Sequence, residues 1–192
     1  MLTPIVARTS DAKSKIEETA QRLFVEQGVA ETSIREIAHK AGVSQGAMYN
    51  HYESKEELAW SLFSNSFSEL GTDARRLVHD HTGIDARLRA MIRYIFERFD
   101  QDWIFVSYVF FARHQHLRRV TPNQGNPYTV FRLVIAEGIR HGEIPKQNLN
   151  LATSMVVGCM VQVIDGRILK IIRGPLAGYA DSVATACLKL LR

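Results

Sequence analysis

The chain has 192 residues, a net charge of +4, 46% hydrophobic and 23% charged residues. That length holds one large domain or two small ones with proper cores, and the balance excludes a disordered chain. The longest apolar stretch, Leu151 to Ile164, is broken by Thr153, Ser154 and Gln162 and falls short of the ~20 residues that span a bilayer, so no membrane role is expected.

The N-terminus lacks a basic flank followed by a long apolar run, so no secretory signal is expected. Cys159 and Cys187 lie in apolar helical contexts, which suits a reducing, cytoplasmic setting better than a disulfide scaffold. Charge gives no simple hint of a partner. Residues 1–60 hold seven Lys and Arg against nine Asp and Glu, a balance of −2 that leaves +6 for the rest.

Every periodic segment shows the helical period and none alternates at period two, so the expected fold is all-α with about nine helices. The first helix runs from about Ser10 to Gly28, with Ile16, Ala20, Leu23 and Phe24 on one face. Ser33 and Glu36 have capping-box spacing and open the second. Ile34, Ile37, Ala38 and Ala41 then form its buried stripe. Gly42 supplies a left-handed stop with Val43 dropping into the core. Ser44 caps a short third helix that carries Gln45, Ala47, Asn50 and His51. A second capping box, Ser54 to Glu57, opens the fourth. Helix, tight turn and short polar helix make a helix-turn-helix suited to the major groove.

Further along, the helix from Ser54 carries Leu58, Leu62 and Phe63 and should run to about Leu70, closed by Gly71 and Thr72. Leu88, Met91, Ile92, Ile95 and Phe99 form another stripe, and Trp103 to Leu117 is an aromatic-rich helix. Arg118 to Pro127, with Pro122 and Gly125, reads as a loop that ends in an Asn126 cap and Pro127 at the first helical position. That helix should reach Gly142. The last two run from Leu151 to about Arg173 and from Leu176 to Leu191, parted by Gly174 and Pro175. The expected domains are 1–56 and 57–192, with the hinge inside the helix that starts at Ser54.

The segment IREIAHKAGVSQGAMYNHYESKEEL, residues 34–58, resembles the DNA-binding signature of the TetR family of bacterial transcriptional regulators. The resemblance covers the first third of the chain. It implies an N-terminal helix-turn-helix domain and a C-terminal helical domain for effector binding and dimerisation. It also implies roles for ten DNA-binding residues: Ser33, Arg35, Ser44, Gln45, Gly46, Ala47, Tyr49, Asn50, His51 and Lys55. Ser33, Tyr49, His51 and Lys55 would hold phosphates, the first and last aided by helix N-termini. Gln45 suits adenine, Arg35 suits guanine, Gly46 permits close approach and Ala47 suits a thymine methyl. Met48 and Tyr52 would anchor the helix from behind, and the acids would lie on the far face.

One recognition helix reads only a few base pairs, so a homodimer on a near-palindromic operator is expected. Ala152, Met155, Cys159 and Val163 with Ala180, Val183, Ala184, Cys187 and Leu191 form the expected dimer stripes; closure of the monomer core is the competing use. Phe67, Phe96, Trp103, Tyr108, Phe111, His114, Met155 and Met160 are the candidate ligand-binding residues for a small-molecule effector. An aromatic stripe at this spacing also serves as plain core.

His79 with His81 and His114 with His116 stand at i, i+2, which on a helix points the rings apart and argues against a metal site. No catalytic constellation or phosphate-cradling loop is present, so neither an enzyme nor a cofactor is expected. The implied function is a repressor released by a ligand. An activator, a partner-responsive regulator, or a helical ligand-binding protein that has lost DNA binding remain alternatives.

Overall fold

A computed structural model describes residues 5–120 and 126–192, with side chains from residue 11 onward except those of His114 and Leu117. Pro122 and Gly125 of the expected loop therefore lie outside the described residues. Among those described there are nine α-helices and no strand. They are α1 (Ile5–Glu31), α2 (Ile34–Ala41), α3 (Gln45–Tyr49), α4 (Lys55–Asp80), α5 (Gly83–Gln101), α6 (Trp103–His116), α7 (Pro127–Arg140), α8 (Leu149–Ile168) and α9 (Ala180–Leu190). Short 3-10 turns at Leu117–Arg119 and Leu176–Tyr179 complete the set.

Most boundaries follow from local chemistry. Gly28 takes φ 86°, ψ 159° and breaks α1 one turn before its end. Asn126 accepts a hydrogen bond from the Thr129 amide at 3.0 Å, with Pro127 in the first turn of α7. The Asn148 side chain does the same for the Leu151 amide, which starts α8 earlier than its apolar residues suggest. Lys170, at φ 60°, ends that helical path, and the Ile171 and Ile172 amides fold back onto the Gly166 carbonyl. The helix thus stops at Ile168, not near Arg173.

One expected stop is overruled. α4 passes straight through Gly71 and Thr72 to Asp80. Leu70, Ala74 and Val78 continue its buried stripe at four-residue intervals. The Thr72 hydroxyl donates to the Ser68 carbonyl at 3.0 Å and so stays satisfied within the helix. Burial of that stripe outweighs the ~1 kcal/mol that a mid-helix glycine costs.

Two compact units result: residues 1–66 with 107–119, and residues 67–106 with 120–192. The first extends past position 56 because Leu58, Ala59, Leu62 and Phe63 are buried in it and α6 returns to the same helices. Tyr108 donates to the Ala59 carbonyl at 2.6 Å and stacks on Phe24 at 6.0 Å between ring centres. His116 packs on Phe63 and Trp60, at 5.2 and 5.7 Å between ring centres.

The His116 ring is buried and its Nε2 has no hydrogen-bond partner. Burial, followed by the charge of Arg119, lowers its pKa. The folded chain therefore binds this proton less tightly than the unfolded chain does. Stability should be full above the ordinary histidine pKa of about 6.5 and fall with pH down to the depressed value, then level off. Thermal melts of the wild type and His116→Phe across that range check this: the variant should show the shallower pH dependence, and parallel curves would refute the assignment.

In the second unit α5 packs on α7, α9 and the second 3-10 turn, while α8 packs on α7 and α9. Gly138 allows the close α5–α7 approach, since a Cβ there would stand 2.8 Å from Ile84 Cδ1. Thr82 makes no side-chain cap for α5; Glu143 takes the Ile84 amide instead, at 2.8 Å. Asp100 similarly accepts from the Leu176 and Ala177 amides at 2.8 and 2.9 Å.

The twenty residues of α8 are long and apolar enough, by length and composition, to cross a membrane, a test that a buried core helix passes as well. Ala152, Thr153, Val156, Met160, Val161, Ile164 and Gly166 of α8 are buried.

The expected dimer stripes divide. Ala152, Ala180, Ala184, Cys187 and Leu191 are buried within the single chain, because α8 and α9 use their small residues to approach each other. Met155, Cys159, Val163 and Val183 are half-buried. The outer apolar positions are Leu151 and Leu190, with Gly158 and Ala186 exposed beside them.

Candidate nucleic-acid interface

The first unit presents α3 on a frame fixed by three hydroxyl caps. Ser33 Oγ accepts from the Glu36 amide, Ser44 Oγ from the Ala47 amide and Ser54 Oγ from the Glu57 amide, each at 3.1 Å. Such caps satisfy otherwise orphaned helix donors and contribute about 1 kcal/mol apiece. Gly42 adopts φ 68°, ψ 32°. Its amide bonds the His39 carbonyl at 3.2 Å and the Val43 amide bonds Ala38 at 3.0 Å, the paired closure that glycine makes possible.

The carboxylates of the two capping boxes do more than local spacing predicts. Glu36 accepts from Gln27 Nε2 at 2.9 Å and pairs with Lys40 at 3.1 Å. Lys40, then Gln27, hold its carboxyl below the usual range, with the Ser33 amide adding a smaller push. Glu57 takes the Glu53 amide at 2.6 Å, one residue before the box position. Gln27 also reaches the Thr32 hydroxyl at 3.3 Å, so it ties the end of α1 to the start of α2. Nothing periodic marks Gln27; only its place beside the Gly28 break hints at it.

Behind α3, Met48 and Tyr52 are buried. The Tyr52 hydroxyl donates to Glu17 at 2.5 Å, and burial followed by that carboxylate pushes its pKa up. In front, Tyr49 is 55% exposed. Ser33, Arg35, Ser44, Gln45, Gly46 and Asn50 are exposed, while Ala47, His51 and Lys55 are half-buried. The polar side of α3 therefore faces outward.

A shallow groove of about 420 Å³ joins part of this set: Ser33, Tyr49 and Lys55 line it together with Thr32, Ile34 and Ser54. Lys55 Nζ donates to the Ala30 carbonyl at 3.1 Å across the same groove, so its charge sits beside the α2 N-terminus. Glu31, Glu53 and Glu56 line the groove as well. This corrects the expectation that the acids keep to the far face: α1 and α4 both start or end here, and their terminal residues share the rim. Gln45, Asn50, His51 and Arg35 are outside this groove's lining.

The candidate ligand residues fall in both units. Tyr108 and Phe111 belong to the first, and Phe67, Phe96, Trp103, Met155 and Met160 to the second. Phe96 and Met160 are buried core side chains, whereas Trp103 and Phe111 are exposed. Phe67 and Met155 are half-buried, and the His114 side chain lies outside the described residues. Among the described residues no group of three or more His, Cys, Asp and Glu side chains converges as a metal site.

Helix caps, Schellman turn and outward polar helix define an all-helical protein with an N-terminal helix-turn-helix. Residues 16–61 match the family model described as bacterial regulatory proteins, tetR family, so the helix-turn-helix segment is TetR-like. It is 30% identical over 105 residues to the HTH-type transcriptional repressor KstR2 of Rhodococcus jostii, covering 52% of this chain and 50% of that one. It is 41% identical over 63 residues to the HTH-type transcriptional regulator AcrR of Shigella flexneri, covering 31% and 29%. The chain thus matches about half or less of the length of these curated relatives.

Solved structures align over nearly the whole chain. The fatty acid degradation regulator FadR from Bacillus halodurans superposes with a TM-score of 0.80 at 19% identity, covering 91% of this chain and 93% of that one. FadR from Bacillus subtilis, in complex with stearoyl-CoA, gives 0.73 at 20% identity, covering 94% and 100%. At such identities the likeness is one of fold.

Proposed function

We propose that this protein is a cytoplasmic transcriptional regulator that binds a near-palindromic operator as a homodimer and represses until a small-molecule effector releases it. The observation that carries the reading is the outward polar face of α3, with Tyr49, Ser33 and Lys55 gathered at one groove beside the α2 N-terminus. Ser33, Tyr49, His51 and Lys55 hold phosphates and fix the register of α3 on the duplex. Ser44 caps α3, and Gly46 keeps the backbone free to approach. Arg35, Gln45, Ala47 and Asn50 meet base edges. Functionally, residues 1–56 read DNA, and 57–192 bind the effector and dimerise.

Dimerisation uses the outer side of α8 and α9 rather than the alanine stripe between them. Leu151, Met155, Gly158 and Cys159 on α8 and Val183, Ala186 and Leu190 on α9 supply apolar and small residues at helical spacing. The stearoyl-CoA bound by the Bacillus subtilis FadR makes long-chain acyl thioesters the first effector class to try. An effector acts only through its difference in affinity for the operator-bound and released states.

A second reading, a helical ligand-binding protein without DNA binding, draws on the −2 balance of residues 1–60 and on Glu31, Glu53 and Glu56 at the groove. Selection of fragments of the source genome, followed by titration of the bound fragment at several salt concentrations, separates the two. The regulator should select a near-palindrome and lose affinity steeply with salt, because it releases counterions from phosphates. No selected sequence and no salt dependence would leave the second reading standing.

A further inference from the structure

Glu36 is an acid in the first turn of α2, close to the helix N-terminus at which a phosphate is proposed to sit. A carboxylate and a phosphate compete for such a terminus, because both answer its dipole and its unpaired amides. In a capping box the third helical residue turns its carboxylate back to the amide of the cap. Here that movement would bring Glu36 to Ser33 and to the groove. The groove already carries Glu31, Glu53 and Glu56 against Lys55, so a fourth carboxylate there would oppose a phosphate strongly.

Gln27 and Lys40 hold Glu36 elsewhere. Gln27 Nε2 donates to Glu36 Oε2 at 2.9 Å and to the Thr32 hydroxyl at 3.3 Å. Lys40 pairs with the other carboxylate oxygen at 3.1 Å. Gln27, Glu36 and Lys40 are all outside the groove's lining. Thr32 is 1% exposed and its hydroxyl donates to the Gly28 carbonyl at 2.7 Å, so the oxygen on which Gln27 leans is itself fixed. A primary amide suits this place because its nitrogen offers two N–H bonds, one for each oxygen. Lys40, then Gln27, lower the pKa of Glu36, and the Ser33 amide contributes least.

We propose that Gln27 is a positioning residue for operator binding: anchored on Thr32, it holds the Glu36 carboxylate away from the Ser33 amide and leaves the α2 N-terminus open to a phosphate. This rests on the reading of α2 and α3 as the DNA-binding face. Gln27 acts through Glu36 and touches no phosphate itself. Lys40 alone does not suffice, since an exposed pair of this kind is held only weakly. The competing use of the same bonds is plain bracing of α1 against α2, which would leave the charge of Glu36 irrelevant.

The test compares full-length wild type, Gln27→Ala, Glu36→Gln and the double variant on the duplex that the wild type selects from genomic fragments. Gln27→Ala should bind roughly tenfold more weakly at low salt, because a unit charge comes within a few ångströms of a phosphate in each subunit. Its melting curve should match the wild type, as Gln27 is exposed. Glu36→Gln keeps a residue that suits the capping box and loses the charge, so it should bind at least as well as the wild type. The double variant should bind like Glu36→Gln, with the whole tenfold loss gone. An equal loss in both backgrounds is the mark of bracing and would overturn the proposal.

A second readout needs no DNA. In proton–nitrogen spectra of the free Gln27→Ala protein, the Ser33 amide should move downfield as Glu36 turns to it, and should not do so in the double variant. An unmoved Ser33 amide would overturn the proposal. A wild type that selects no duplex would sink the DNA reading and this proposal together. A wild type that binds, with Gln27→Ala binding equally well, would sink this proposal alone.

Discussion

Replacing Tyr49 and Lys55 together by alanine should lower operator affinity by roughly 100-fold or more, and should make the salt dependence shallower by about two phosphates per dimer. Tyr49 is 55% exposed on the proposed reading helix, so its loss would remove a proposed phosphate donor while leaving the core alone. Lys55 lies beside the α2 N-terminus, where its charge and the helix amides favour the same anion. It also caps the end of α1 through the Ala30 carbonyl. A melting curve of the double variant therefore accompanies the titration, and the expected loss of stability is small for two surface positions. Undiminished affinity in a folded double variant would remove both residues from the phosphate-binding set.

Tyr108→Ala should destabilise the chain by about 3–5 kcal/mol, a fall in melting temperature on the order of 10 °C. Its ring is 1% exposed and stacked on Phe24, and its hydroxyl donates to the Ala59 carbonyl. Burial raises the pKa of that phenol, which keeps it a donor throughout any workable pH range. Tyr108→Phe should cost only about 1 kcal/mol, the value of one hydrogen bond without a cavity. The contrast separates core from effector wall. A wall residue would tolerate truncation and change ligand response instead, so an alanine variant that melts like the wild type would return Tyr108 to the ligand-binding set.

The reading helix and its supports are legible in the amino-acid order because they rest on neighbours along the chain. Ser33, Ser44 and Ser54 lie three residues before the amides they cap. Gly42 stands where a helix needs a left-handed residue, and Met48 and Tyr52 fall on the face opposite Tyr49. Interactions over three to five residues are fixed by backbone geometry, so their pattern is visible in the chain. The Asn126–Pro127 start of α7 belongs to the same class.

Where the outcome depended on distant partners, local signals misled. Gly71 and Thr72 look like a stop, but burial of Leu70, Ala74 and Val78 carries α4 through them. Glu31, Glu53 and Glu56 reach one groove because the end of α1 and the start of α4 meet there, a meeting no local pattern encodes. Ala152, Ala180, Ala184 and Cys187 make a stripe whose spacing serves one chain or two equally well. Tertiary packing decided for one.

The amino-acid order by itself thus determined the helical class, the caps and the outward presentation of α3, because each is settled within a turn or two of helix. Which apolar stripes close the core and which stay exposed were decided only by the tertiary structure. Burial is a property of surfaces brought together from far along the chain, and periodicity names a face without naming what covers it.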